Sequence, residues 1–257
     1  MNTFVSLFIS KSMKILVCVS NVPDTTTKVT FTDNNTKFNT AGVQFIINPY
    51  DELALTRALE ITEKQGGSVT SVTVGLADTE ASIRKALAIG AADAVRINAE
   101  PTDAYFVAEQ IAAYAKDKGF DLILTGRESI DYNGGQVAGL LGEMLGLPSV
   151  NVVAKIDIEN GVATMERDID GGKEKVSCKL PLVASAQKDL TEPRIPNMRG
   201  IMAARTKPLT VVEATGSDKT SATVAFDLPA PKGACKMIPA DQADQLIGML
   251  HNEAKVI

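Results

Sequence analysis

The polar residues best placed to do chemistry in this chain lie together. Asp131, Asn133, Gly134, Gly135 and Gln136 fall between the apolar run Leu122–Leu124 and a stretch in which Val137, Leu140, Leu141, Met144 and Leu145 recur at helical spacing. A buried strand, a polar loop and a glycine-started helix form the layout of an anion site. Small residues there let a phosphate approach the unpaired N–H groups of the first helical turn, where the helix dipole also favours negative charge. A tight strand-to-helix turn fits the same residues equally well, because neither G-x-G-x-x-G nor a P-loop is present.

Other chemistry is poorly supplied. His251 is the single histidine, which excludes histidine-based triads and histidine-rich metal sites. Cys18, Cys178 and Cys235 lack metal spacing and have no histidine partner, so nucleophilic catalysis is not expected and a reducing cytosol fits. Asp24, Asp131 and Asp168 are more readily turn or capping residues than a catalytic pair. A net charge of −5 argues against nucleic acid as a partner, and no apolar run is long enough to span a membrane.

The elements that must position the loop are legible in outline. A buried strand from Lys14 to Val19 is followed by a helix from Asn48 to about Lys64, begun by Asn48 as cap, Pro49 at the first helical position and Asp51-Glu52 in the first turn. A strand Ser68–Val74, a helix Thr79–Ile89, a strand Ala94–Asn98 and a helix capped by Asp103 then lead to the strand at Leu122. Such alternation predicts a parallel sheet that collects ligands at the carboxyl ends of its strands, so the loops after Val19, Val74 and Thr125 are expected to converge.

Beyond Pro148 the pattern changes to hairpins at Glu159-Asn160-Gly161 and Asp170-Gly171-Gly172, followed by a strand Leu182–Ala186. The expected fold is therefore α/β: a parallel sheet with an antiparallel extension and an extended C-terminal arm. Its expected divisions are a tail over 1–12, an α/β domain over 13–186, and a surface segment with a C-terminal arm over 187–257. The arm ends in an amphipathic helix over about 240–251 and has little core of its own, which suits docking on a partner subunit.

Several segments resemble the beta subunits of electron transfer flavoproteins. They are Lys14-Ile15-Leu16-Val17-Cys18-Val19 with Val22-Pro23-Asp24, the Asn48-Pro49 helix start, Ile83 to Ala91, Glu166 to Gly172, and Glu192-Pro193-Arg194 followed by Gly200 to Lys207. The resemblance covers residues 13–257. It implies a sheet of the adenine-nucleotide-binding (Rossmann-like) type in a non-catalytic electron-carrier subunit, paired with an alpha subunit that carries the redox-active FAD. It also implies a structural AMP contacted by Cys18, by Asn48, Pro49, Tyr50 and Asp51, by Val74, and by Asp131 with Gly134, Gly135, Gln136, Val137, Ala138, Gly139, Leu140 and Leu141. Glu192, Pro193, Arg194, Met198, Arg199, Arg205 and Lys207 fall on the family's recognition loop for acyl-CoA and other dehydrogenases, with Met198 at its apolar anchor.

The chain departs from the family at one place. AMP-holding relatives often carry Asn-Gln-Thr-Gly-Gln where this chain has Gly135-Gln136-Val137-Ala138-Gly139. The missing threonine hydroxyl removes one hydrogen bond, worth about 1–3 kcal/mol against a charged phosphate. Gln136-Val137 also resembles the electron-bifurcating members, whose beta subunit binds a second FAD. From another class, a stand-alone nucleotide-binding stress module on the same fold is the competing expectation.

Overall fold

A computed structural model describes residues 12–216 and 220–257. The expectation for a tail over residues 1–12 lies, but for Ser12, outside the described residues. The first half supplies β1 (Met13–Cys18), β2 (Asn21–Pro23), β3 (Phe31–Thr32), β4 (Lys37–Phe38), β5 (Phe45–Ile47), α1 (Pro49–Gln65), β6 (Gly67–Val74), α2 (Glu80–Ile89), β7 (Asp93–Asn98), α3 (Ala104–Ala115) and β8 (Leu122–Gly126). The second half supplies α4 (Val137–Leu145), β9 (Ser149–Glu159), β10 (Val162–Ile169), β11 (Gly172–Lys179), β12 (Leu182–Ala186), α5 (Met198–Ala204), β13 (Leu209–Glu213) and α6 (Asp244–Met249).

Nine strands form one mixed sheet in the order β11-β10-β9-β12-β8-β1-β6-β7-β13. The run from β9 to β13 is parallel, and β10 and β11 continue it antiparallel. The fold is thus α/β with a mostly parallel sheet and an antiparallel extension. Both extension turns are two-residue loops, since Glu159 pairs with Val162 and Ile169 with Gly172. Asn160 and Gly161 take positive φ, as the tightest hairpin turns require.

The central strands alternate their side chains between two layers. Ile15, Val17 and Val69 face α1 and α2, whereas Leu16, Cys18, Val72 and Val74 face α3 and α4. β6 and β7 extend the sheet on one side of β1 and β8 on the other, so the strand order reverses at β1. Ligands of such sheets collect at the carboxyl edge beside a reversal of this kind.

The short strands β2 to β5 were not expected, and neither were α5 and β13. α5 packs on α2, and β13 adds a parallel strand along β7, with Leu209 level with Ala94. The nine-stranded sheet therefore takes in residues up to Glu213. Beyond it, the terminal helix is broken into a 3₁₀ turn Ala240–Gln242, the short α6 and a π turn Leu250–Ala254. No described helix is long and apolar enough to cross a membrane.

Candidate functional site

Asp51 organises the carboxyl edge. Its carboxylate accepts hydrogen bonds from Ser20 N at 2.7 Å, Ser20 Oγ at 2.6 Å, Asn48 Nδ2 at 3.1 Å and Gly126 N at 2.8 Å. One side chain thus joins the start of α1 to the loops after β1 and β8, the strands that flank the reversal. Gly126 has to be glycine here, because a Cβ would overlap the Asp51 carboxylate and Tyr50. Asp51 is only 4% exposed, and burial pushes its carboxyl up to about 6 despite four donors that favour the charged form.

Asn48, 1% exposed, works alongside it. Its Nδ2 also donates to Glu128 O at 2.8 Å, and its Oδ1 accepts from Ile130 N at 3.3 Å. The expectation that the Asn48 side chain caps α1 is corrected: it makes no cap bond, and Asp51 likewise leaves the first turn for neighbouring loops. Tertiary donors and acceptors outcompete the local cap. Pro49 does occupy the first helical position; it is exposed, and Tyr50 lies half-buried with the Arg127 guanidinium 5.5 Å from its ring centre.

Cys18, Val74, Ala138 and Leu141 meet in one buried cluster on the α3–α4 face, with Val137 and Leu140 packed against it. Burial, with the nearby Asp51 charge second, pushes the Cys18 thiol far up, so it stays protonated and does no thiolate chemistry. The loop between β8 and α4 folds on itself: Ser129 N donates to Gly134 O at 3.0 Å, Ser129 Oγ bonds Asp131, and Asn133 takes a positive φ. Asp131, Gly135 and Gln136 are exposed beside the opening of α4.

The first turn of α4 is uncapped. Gln136 at its N-cap makes no side-chain bond, and the earliest helical amide to find a partner is Leu140 N, on Gln136 O at 3.1 Å. A Cβ on Gly139 would meet nothing nearer than Asn151 Nδ2 at 3.9 Å, so that turn is open to approach. Asn151 belongs to a bulge of β9, where Val152 takes φ +63° and donates its N–H to Ser185 Oγ at 2.9 Å. The Asn151 Oδ1 atom is buried without a partner. Open amides and small residues at this turn could hold a nucleotide phosphate, and the buried Cys18 and Val74 lie in the apolar cluster behind it. Asn151 and the bulge at Val152 were missed from the sequence, since Ser149-Val150-Asn151-Val152-Val153 reads as ordinary strand.

The second group of expected residues forms a separate platform. Arg194 grips Glu63 with both guanidinium nitrogens, at 2.7 and 2.9 Å, and its backbone N–H reaches Thr56 Oγ1 at 3.0 Å. Lys207 donates to Leu87 O at 2.8 Å and Ala91 O at 2.7 Å, closing the C-terminus of α2, while Arg84 answers with bonds to Ala204 O and Lys207 O. Arg194 therefore spends its charge on an exposed ion pair and Lys207 on two backbone carbonyls. Between these rivets Ile195, Met198, Ile201 and Met202 remain 87%, 73%, 40% and 56% exposed. Glu192, Pro193, Arg199 and Arg205 surround them at the surface.

Among the described residues no cluster of His, Cys, Asp or Glu could hold a metal ion. The α/β body thus carries an uncapped helix start at its carboxyl edge, an exposed apolar platform and a long exposed arm. In comparisons with known proteins, the Electron transfer flavoprotein domain model matches residues 35–217. The electron transfer flavoprotein subunit beta of Bacillus subtilis is 39% identical over 95% of this chain and 100% of its own length. Those of Syntrophomonas wolfei and Bradyrhizobium diazoefficiens are 35% and 31% identical over 95% of this chain and 98% and 100% of their own. The chain belongs to the electron transfer flavoprotein family, among its beta subunits.

Proposed function

We propose that this chain pairs with an alpha subunit carrying FAD, holds AMP at its carboxyl edge as a structural ligand, and presents the α5 platform to dehydrogenases such as those for acyl-CoA. Electrons then pass through the alpha-subunit FAD to a respiratory-chain acceptor. The flavin supplies the redox chemistry when bound; this chain's part is to bind, orient and exclude water. Backbone N–H groups of Gln136 to Gly139 hold the phosphate, Asn151 stands beside them, and Cys18 and Val74 border the adenine. Asn48 and Asp51 act from beneath by fixing the loops.

The observation that carries this reading is the convergence of the uncapped α4 turn with Cys18 and Val74 on one face of the sheet's reversal point. Gln136-Val137 favours a second reading, FAD in place of AMP. Val137, however, packs into the buried cluster, so the position serves the core whichever nucleotide is held.

The heterodimer, purified with its alpha partner and denatured, is expected to release one FAD and one AMP. Two flavins would establish the bifurcating form, and a nucleotide-free edge would remove the site. For the platform, Met198→Ala is expected to raise the KM for a dehydrogenase roughly tenfold, the scale of losing an apolar anchor, with flavin content unchanged.

A further inference from the structure

A cavity of about 340 Å³ lies between α2 and α5, walled by Ala88, Pro196, Ile201 and Ala204 and rimmed by Arg84, Lys85 and Arg205. We propose that it receives an aliphatic side chain from the electron-donating partner protein, with a carboxylate of that partner seated on Arg205. The proposal rests on the docking reading and makes the contact reciprocal: Met198 projects outward, and a partner side chain enters beside it.

The cavity is preformed. Arg84 and Lys207 cross-link the two elements, Asn197 caps α5 by accepting from Gly200 N at 2.8 Å, and Gly200 lies so close to Ala88 O that no Cβ would fit. Little ordering entropy is then lost when it fills. Its polar rim is mostly committed, since Arg84 holds two carbonyls and Lys85 pairs with Glu52. Arg205 is exposed and has no ion-pair partner among the described residues. An apolar cleft with one free cation offers too few convergent polar groups to orient a polar metabolite, but it suits an acid-flanked aliphatic knob.

Position and charge narrow the occupant. The cavity adjoins exposed Ile201 and Met202, so it continues the proposed docking surface. It lies where α2 ends before β7, at the amino edge of the sheet, opposite the nucleotide edge. A second copy joined by a two-fold axis would set this patch, with Arg199 and Arg205, against the same cationic patch, a like-charge arrangement that opposes association.

The test uses the intact heterodimer. Ala88→Leu, which fills the cavity, is expected to raise the dehydrogenase KM roughly tenfold while kcat, flavin content and direct reduction by dithionite stay unchanged. Arg205→Glu is expected to raise KM as well and to flatten its dependence on salt. Arg205 is exposed, so this variant decides the matter if Ala88→Leu disturbs α5. Unchanged KM in both, with Met198→Ala still raising it, overturns the cavity and leaves the docking reading standing. If Met198→Ala is silent too, that reading falls. Loss of heterodimer in Ala88→Leu would assign the cavity to the alpha subunit, and loss of a concentration-dependent self-association would assign it to a second copy; either result overturns the proposal.

Discussion

Asp51 shows how a residue legible by position can be misread by role. Asn-Pro-x-Asp marks a helix start, and α1 does start there, but the side chains of Asn48 and Asp51 serve loops that lie 80 and 75 residues downstream. No local pattern announces such partners. The Asp51 carboxyl, raised to about 6 by burial, holds its proton more tightly in the folded chain than in the unfolded one. Its contribution to stability is complete below about pH 4 and is lost as pH rises through about 6, a swing of roughly 3 kcal/mol. The difference in unfolding free energy between wild type and Asp51→Asn, followed by denaturant titration from pH 4 to 7, is expected to change by that order and then level off. A difference that stays flat across this window would show that Asp51 does not titrate there. Asp51→Ala leaves buried donors without an acceptor and is expected to cost about 3 kcal/mol at neutral pH.

Elements were legible where local chemistry suffices. Asp103 caps α3 as its position predicts, accepting from Phe106 N at 2.8 Å, and the Asn160-Gly161 turn sets its hairpin. β13 and α5 were not. Leu209-Thr-Val-Val-Glu213 is a strand only because β7, more than a hundred residues upstream, offers a free edge, and the prolines around Met198 hide a seven-residue helix that depends on α2. Asp103 carries a second duty of this kind: its other oxygen accepts from Thr220 N and Oγ1 and from Ser221 N and Oγ at 2.9–3.2 Å. These donors, led by Phe106 N, hold its carboxyl down at about 2, so the clasp keeps its stabilising charge above about pH 4 and loses it only as pH falls through 2. Asp103→Ala removes cap and clasp together. Limited proteolysis is expected to cut the arm beyond residue 221 several-fold faster in this variant, while Asp103→Ser, which restores the cap alone, is expected to recover α3 stability of about 1 kcal/mol without protecting the arm.

At the scale of the molecule, the sheet separates three tasks. The carboxyl edge faces the proposed nucleotide, the α2–α5 platform faces the proposed electron donor, and the arm, among the described residues, is tied to the body only near its start. After the clasp, Phe226 stacks on Phe31 at 4.8 Å and donates its N–H to Asn35 O, tying the arm to the β3–β4 hairpin. Past that point the residues are almost all exposed, including Leu228, Met237, Leu246 and Ile247. Apolar side chains on a helix as short as α6 gain nothing from solvent, and an isolated helix of that length is not stable in water. Under the proposed function they are assigned to a surface supplied by the alpha subunit. A chain ending at Gly216 keeps every strand of the nine-stranded sheet and loses chiefly one aromatic stack and one clasp. Its Tm is expected to fall by only a few degrees, the shift that about 1–2 kcal/mol produces in a chain of this size. Heterodimer formation, measured by sedimentation with the alpha subunit, is expected to weaken at least a hundredfold, because the arm holds most of the exposed apolar surface outside the α5 platform. A truncated chain that still pairs with full affinity would place the alpha interface on the body of the sheet instead.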